Sequence, residues 1–364
     1  MGGWIGWKPR FMDPRVASTR IRCLNPLREL QSRNFPVELF DANRADRYAV
    51  VVYSKLYDHS SHREAEALKK RGAQIVLDLC DNHFYNPNGL ESLKKACDDL
   101  RHMIMLADEL VAPTETMAEV MRAELSAPKP ITLIGDALET EIQGVKTPLL
   151  ERWREKKRLG KLLRRLRGAD NQDRTPLVWF GIHGGSNADY GMLDLLKVRP
   201  LLEQMNRRFP LSLTVISNSE EKYEQKIRPW SIPTYYLPWH PSTFLPALHA
   251  HSIALIPITK NSFTLCKSNN RVLMSLYAGL AVVADSIPSY QSFAGACYLD
   301  DWQRGLESYL SNPELRRHDV EIGRAIVARE WTLNHIADQW QEFFDRLLAK
   351  KNAPFEDSNA LASS

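Results

Sequence analysis

The sequence lacks any long apolar run. Its longest, such as Ile253–Ile258 and Leu280–Ala284, fall far below the ~18–20 residues that a membrane-spanning helix needs, which points to a soluble or peripherally attached chain. Cysteine is scarce too: Cys23, Cys80, Cys97, Cys266 and Cys297 are odd in number and scattered, with no CxxC pair. That gives no sign of a disulfide framework, a redox pair or a zinc site, and it fits a reducing cytoplasm. The opening MGGWIGWKPR has no basic segment followed by a long apolar core, and Gly6 stands where a myristoylation signal needs Ser or Thr, so neither secretion nor acylation is expected. No Asp-x-Asp pair lies in a loop suited to a metal, and Asp301, in an Asp-Asp pair past the last core strand, is expected on the surface. No nucleic-acid-binding motif is recognisable, and nucleic acid is not expected as a partner.

What is present suffices for packed cores. Of 364 residues, 44% are hydrophobic and 25% charged, and at roughly 100–200 residues per domain two domains are expected. Short β-branched runs at Gly3–Trp7, Val37–Phe40, Ala49–Ser54, Gln74–Leu79, Glu109–Pro113 and Ile131–Ile134 alternate with helical stretches near 18–33, 61–71, 90–106 and 115–124. The pattern resumes with strands Leu177–Phe180, Leu213–Ser217, Thr234–Leu237, Ile253–Ile258 and Ala281–Ala284, and helices near 192–208, 243–249 and 269–278. Strands alternating with helices of ten or more residues imply an α/β chain of parallel, doubly wound sheets. The expected organisation is a Rossmann-like domain over residues 1–146, a basic linker or helix over 147–174 and a second Rossmann-like domain over 175–330. A helix over 331–350 carries Leu333, Ile336, Ala337, Trp340, Phe343, Phe344, Leu347 and Leu348 near helical spacing, so it must bury one face and is expected to return to the N-terminal domain. The polar tail 351–364 is expected to be disordered.

Two loops in the second half suit anions. Lys267, Ser268, Asn269, Asn270 and Arg271 lead into a helix that ends at Gly279, and the free N–H groups and positive end of a helix favour phosphate. Ser268 or Asn269 serves equally as a plain cap. Upstream, Gly181, Ile182, His183, Gly184, Gly185 and Ser186 follow a strand; glycines there let backbone N–H groups approach a diphosphate, with His183 or Ser186 adding a donor, or they form an ordinary turn. Asn218, Trp239 and His240 follow the next two strands, where open α/β sheets bind ligands; Trp239 reads equally as an aromatic packed under a loop.

Lys267-Ser268-Asn269-Asn270-Arg271 with Gly279-Leu280-Ala281-Val282-Val283-Ala284, Ser18-Thr19-Arg20-Ile21-Arg22, Ala107–Thr114 and Val178–Gly185 together resemble the retaining GT-B glycosyltransferases of the group 1, family 4-like type. The resemblance implies two Rossmann-like domains facing across a cleft and retaining, metal-independent transfer from a nucleotide-diphosphate-sugar, with no other cofactor, to a carbohydrate or lipid-linked acceptor. It places the nucleotide base near Trp239-His240 and assigns the leaving diphosphate to Lys267, Arg271 and the helix N–H groups. Cell-surface polysaccharide or glycolipid synthesis would be the setting. Asp81 and His83, off the end of a strand, would orient the acceptor hydroxyl and take its proton, or are a turn residue and a solvated histidine. Arg20 and Arg22 would meet an anionic acceptor or the donor phosphates, or are solvated charges. One departure stands out: where the family carries two Glu around the helix, this sequence has Cys266 and Met274. The alternatives are therefore a sugar-nucleotide epimerase or hydrolase, or a binding or scaffold protein that has lost donor use.

The net charge of +4 is concentrated. Residues 151–168 hold nine Lys or Arg against two Glu, a local +7 with −3 elsewhere. Leu159, Leu162, Leu163 and Leu166 recur there at i, i+3, i+4 and i+7. A helix of this kind suits an anionic membrane surface on the cytoplasmic side, at up to ~1 kcal/mol per basic residue, or packs its leucines on a domain and solvates its charges.

Overall fold

The computed structural model describes residues 3–184 and 190–352. The chain forms two compact units, one of residues up to Ile134 together with those from Leu333, the other Gly135–Thr332. The first has a six-stranded sheet of β1 (Trp4–Pro9), β2 (Val37–Leu39), β3 (Tyr48–Ser54), β4 (Gln74–Asp78), β5 (Glu109–Ala112) and β6 (Ile131–Leu133). All pairs are parallel, in the order β2-β1-β3-β4-β5-β6. Every residue of β3 is buried, as expected for a parallel strand covered on both faces.

The first crossover is a single helical run, Ala17–Thr19, Arg20–Leu24 and Asn25–Ser32, whose middle piece is a π-turn. Pro26 has no N–H to offer the Arg22 carbonyl, and the turn before it widens so that the Asn25 N–H reaches the Arg20 carbonyl. This unit is completed by the helix Leu333–Asn352, whose fully buried Trp340 and Phe344 meet Trp7 at ring distances of 4.6 and 5.6 Å. Arg346 grips the buried Glu109 at 2.7 and 2.9 Å, and Lys350 adds a third bond at 2.8 Å. Burial raises the Glu109 carboxyl's pKa, but these two cations outweigh it and hold it below the usual range.

The second unit has β7 (Thr175–Phe180), β8 (Leu211–Ser217), β9 (Thr234–Pro238), β10 (Ile253–Ile256), β11 (Ala281–Ala284) and β12 (Tyr298–Leu299). They too are parallel, in the order β12-β11-β10-β7-β8-β9. The order reverses at β7, and the carboxyl ends of β7 and β10 flank that switch point, where sheets of this kind bind ligands.

One expectation is corrected and one pair of alternatives is decided. The boundary falls at 134/135 rather than 146/147, because residues 135–146 begin inside the second unit. There the Leu138 N–H donates to the Trp331 carbonyl at 2.7 Å, and a Cβ on Gly135 would stand 2.6 Å from the Trp331 ring. The basic stretch is the helix Leu149–Leu166, and its leucine stripe faces inward. Leu162 is buried, and Leu159 and Leu166 pack against the core, so these leucines are not available to lipid. No helix among the described residues is long and apolar enough to cross a membrane.

Candidate functional site

In the second unit the carboxyl ends of the strands gather most of the expected residues. The loop after β7 is shaped by Gly184 (φ 92°) and Gly191 (φ 90°); a Cβ on Gly191 would stand 2.9 Å from Gly184 N, His183 C and Ile182 O, so only glycine allows the chain to fold back so closely. The His183 N–H donates to Asn218 Oδ1 at 3.0 Å, and Ser217 Oγ donates to the Gly181 carbonyl at 2.8 Å, tying this loop to the end of β8. His183 Nδ1 is buried without a partner. Gly185 and Ser186 lie outside the described residues.

The helix Asn270–Tyr277 comes to the same place. A Cβ on Gly181 would stand 4.0 Å from Arg271 Nη1, so glycine loop and helix start adjoin. The helix closes with Gly279 (φ 87°), whose N–H bonds the Leu276 carbonyl while the Leu280 N–H bonds that of Ser275, the paired bonds of a glycine-terminated helix. At its start, Asn269 is only 1% exposed and makes no side-chain cap. Both of its amide atoms, and Asn270 Nδ2, are buried without a partner. Leaving such groups unpaired costs about 1–3 kcal/mol each, a cost that hydrogen bonds from a ligand would remove.

Lys267 lies 4.1 Å over the Phe263 ring, with its carbonyl held by Ser289 Oγ at 2.7 Å. Arg271 hydrogen-bonds the buried Tyr290; burial raises that phenol's pKa and Arg271 partly opposes it. Ser268 is occupied, donating to Asp136 Oδ2 at 2.6 Å. Cys266 and Met274 are buried, Met274 within the apolar core, so no carboxylate stands at either position.

Other residues are committed elsewhere. Trp239 lies 6.2 Å from the Phe244 ring against the core. His240 is bonded to Ser242 at 2.8 Å, with its other nitrogen 3.8 Å from Glu151. Lys197 is held by the Ile258 carbonyl at 2.8 Å and Asp285 at 3.2 Å.

In the first unit the ends of β3 and β4 bring Asp81 and His83 together. Asp81 pairs with Lys55, and His83 Nδ1 meets the Tyr57 hydroxyl at 2.7 Å while its Nε2 lies 4.0 Å from Asp81. Burial disfavours the Lys55 ammonium, but Cys80 and Asp81 outweigh it and keep its pKa above the usual lysine range. Arg20 and Arg22 are corrections: both are buried. Arg20 donates to the carbonyls of Pro14 and Arg15 at 2.7 and 3.0 Å. Arg22 clasps the fully buried Asp78 at 2.6 and 3.1 Å and the Ile134 carbonyl at 2.6 Å. Neither presents a solvated charge to an acceptor.

Sequence reasoning missed Lys55, Tyr57, Asp136 and Lys222, whose ammonium reaches the His183 carbonyl at 3.1 Å. The one local sign was Asp81 and His83 at the end of β4, with which Lys55 and Tyr57 bond; Lys222 lies on an unforeseen helix, Glu220–Lys226.

No family model matches the sequence, and no curated protein does. Solved structures do. Anabaena HepE, solved in complex with UDP and glucose, is similar over 95% of this chain and 100% of its own, with 13% identity and a TM-score of 0.65. Sucrose-phosphate synthase from Thermosynechococcus elongatus is similar over 85% of this chain and 76% of its own, at 14% identity and 0.59. An E. coli trehalose-6-phosphate protein bound with UDP-2-fluoro glucose is similar over 82% and 73%, at 14% and 0.53. The chain has the GT-B fold.

Proposed function

We propose that the chain is a glycosyltransferase that moves a sugar from a nucleotide-diphosphate-sugar to an acceptor hydroxyl, retaining the anomeric configuration and without a metal. The observation that carries this reading is Asn269, buried with both amide atoms unpaired at a helix N-terminus. Lys267 and Arg271 flank it, and the glycine loop adjoins it across the switch point of the sheet. Supporting it, HepE, with this fold, was solved with UDP and glucose, and similar UDP-sugar use here is part of the proposal. The Asn269 amide and the first helix N–H groups would bind diphosphate oxygens, and Lys267 and Arg271 would neutralise charge as it develops on the leaving group, a large catalytic contribution that needs no proton transfer. On the acceptor side, Asp81 and His83 would orient a carbohydrate or lipid-linked hydroxyl, with Lys55 and Tyr57 fixing their positions. Polysaccharide or glycolipid synthesis is the setting this implies.

A second reading, a binding protein of the same fold without turnover, is favoured by one observation: Cys266 and Met274, at the positions where the family resemblance implies two glutamates, are buried and carry no carboxylate. Thermal unfolding against nucleoside diphosphates and nucleotide-sugars separates them, joined to an assay of sugar transfer. A ligand at ~100 times its dissociation constant stabilises by about 2.7 kcal/mol, several degrees for a domain of this size. The expected result is a shift with one base and turnover that falls by about 10²–10³ in Lys267→Ala, with unchanged circular dichroism. A shift without turnover favours the binding protein, and no shift with any nucleotide removes the donor site.

A further inference from the structure

A separate cavity of about 430 Å³ lies in the second unit, lined by the helices Leu149–Leu166 and Glu220–Lys226 and the edge strand β9. Arg158, Lys161 and Arg165 line it at i, i+3 and i+7, one face of the first helix, and Arg228 completes the set. Arg158 is paired with Glu155 at 2.6 Å and Arg228 with Glu224. Lys161 and Arg165 have no carboxylate partner among the described residues; Arg165 lies 5.9 Å over the Tyr235 ring. The tyrosine hydroxyls in the lining are already used: Tyr236 donates to the Ser217 carbonyl at 2.8 Å, Tyr223 bonds Thr234 at 2.9 Å, and Tyr235 accepts from Asn171. The cavity thus offers ring faces and the unpaired charges of Lys161 and Arg165, four cations in all against Glu220, Glu224 and the Glu155 that holds Arg158. Like charges on one helix face repel unless an anion lies between them.

We propose that this cavity binds a phosphate-bearing group, supplied by a soluble phosphorylated compound or by an anionic lipid headgroup. A dianionic phosphate has oxygens enough to bridge Lys161 and Arg165, and charge-assisted bonds to such groups are about twice as strong as neutral ones. Leu149, Leu150 and Trp153 are 83%, 63% and 59% exposed on the first turns of the same helix, and Trp153 lies about 7.5 Å along the axis from Arg158. These are groups a headgroup source would engage, although they lie on an adjoining face.

The test uses the full chain, its Lys161→Glu/Arg165→Glu form and Lys267→Ala. Inorganic pyrophosphate binding is measured by titration calorimetry, and co-sedimentation is compared on phosphatidylglycerol and phosphatidylcholine vesicles. At least one probe should bind, weakening about tenfold or more in the double variant and surviving in Lys267→Ala. Where the donor site also takes pyrophosphate, the stoichiometry falls from two to one in either variant. Pyrophosphate binding identifies the soluble source, and binding to phosphatidylglycerol alone identifies the headgroup. Binding equal in the chain and the double variant, binding lost only in Lys267→Ala, or no binding of either probe overturns the proposal. Both side chains are exposed, so charge reversal should leave the fold intact by circular dichroism; Lys161→Gln/Arg165→Gln repeats the test where it does not.

Discussion

Removing the Arg22 guanidinium would leave the Asp78 carboxylate wholly buried without its two-pronged partner and free the Ile134 carbonyl. Breaking a buried pair by deleting one member costs about 3–5 kcal/mol. Arg22→Ala should therefore lower the unfolding free energy of the first unit by that much, measured by urea titration; a chain of unchanged stability with weakened acceptor binding would return Arg22 to the acceptor. His251 makes a pH prediction. Burial pushes its pKa down to about 4, against the opposing backbone bonds at Ala247 and Leu248, and both ring nitrogens are engaged, by the Ala247 carbonyl at 2.8 Å and Thr214 Oγ1 at 2.7 Å. The unfolded chain takes a proton near pH 6.5 that the folded chain refuses, so stability present above that pH is lost as pH falls towards 4, by about 3 kcal/mol. His251→Gln should flatten that part of the unfolding profile. At this scale the sequence spoke unevenly: the place of Asn269 at a helix start was legible, because polar residues ahead of an apolar run mark one, whereas Arg22 reads like any helix-surface arginine until the long-range Asp78 contact is known.

Aromatic packing decides the outcome among the elements. Trp340 and Phe344 hold the helix Leu333–Asn352 on Trp7, and Phe35 stacks beyond at 6.2 Å from Phe344. Trp340→Ala should cost about 3–5 kcal/mol, read as a lowered urea midpoint, and a change below 1 kcal/mol would show that the helix contributes little to that unit. The periodicity of Leu333 to Leu348 made this helix readable, and the four apolar residues Ala281–Ala284 were read as the strand that β11 forms. The helix Leu149–Leu166 was half readable: its leucines follow the helical period, but period cannot say whether an apolar stripe meets lipid or protein. The helices Trp302–Ser311 and Pro313–Glu330 were not foreseen. The second has a weak amphipathic pattern, and its signal is local, Asn312 accepting from the Glu314 and Leu315 N–H groups ahead of a first-turn proline.

For the whole molecule, the alternation of strands and helices revealed two doubly wound sheets, because that rhythm is imposed by parallel pairing itself. It did not reveal where one unit stops, since the chain runs from β6 into the second unit with no change of composition at Gly135. The first unit is built from two separate segments of the chain, and this bears on synthesis. A ribosome adding 5–20 residues per second releases β1 and Trp7 tens of seconds before Trp340 exists. During that interval the second unit, continuous from Gly135 to Thr332, has its whole sheet in hand and can fold, while the first waits with an apolar face uncovered. A later-made segment closes an earlier one, so until the helix Leu333–Asn352 emerges the nascent chain is most vulnerable to chaperone capture and aggregation at the strands of its first unit, however early those strands were made.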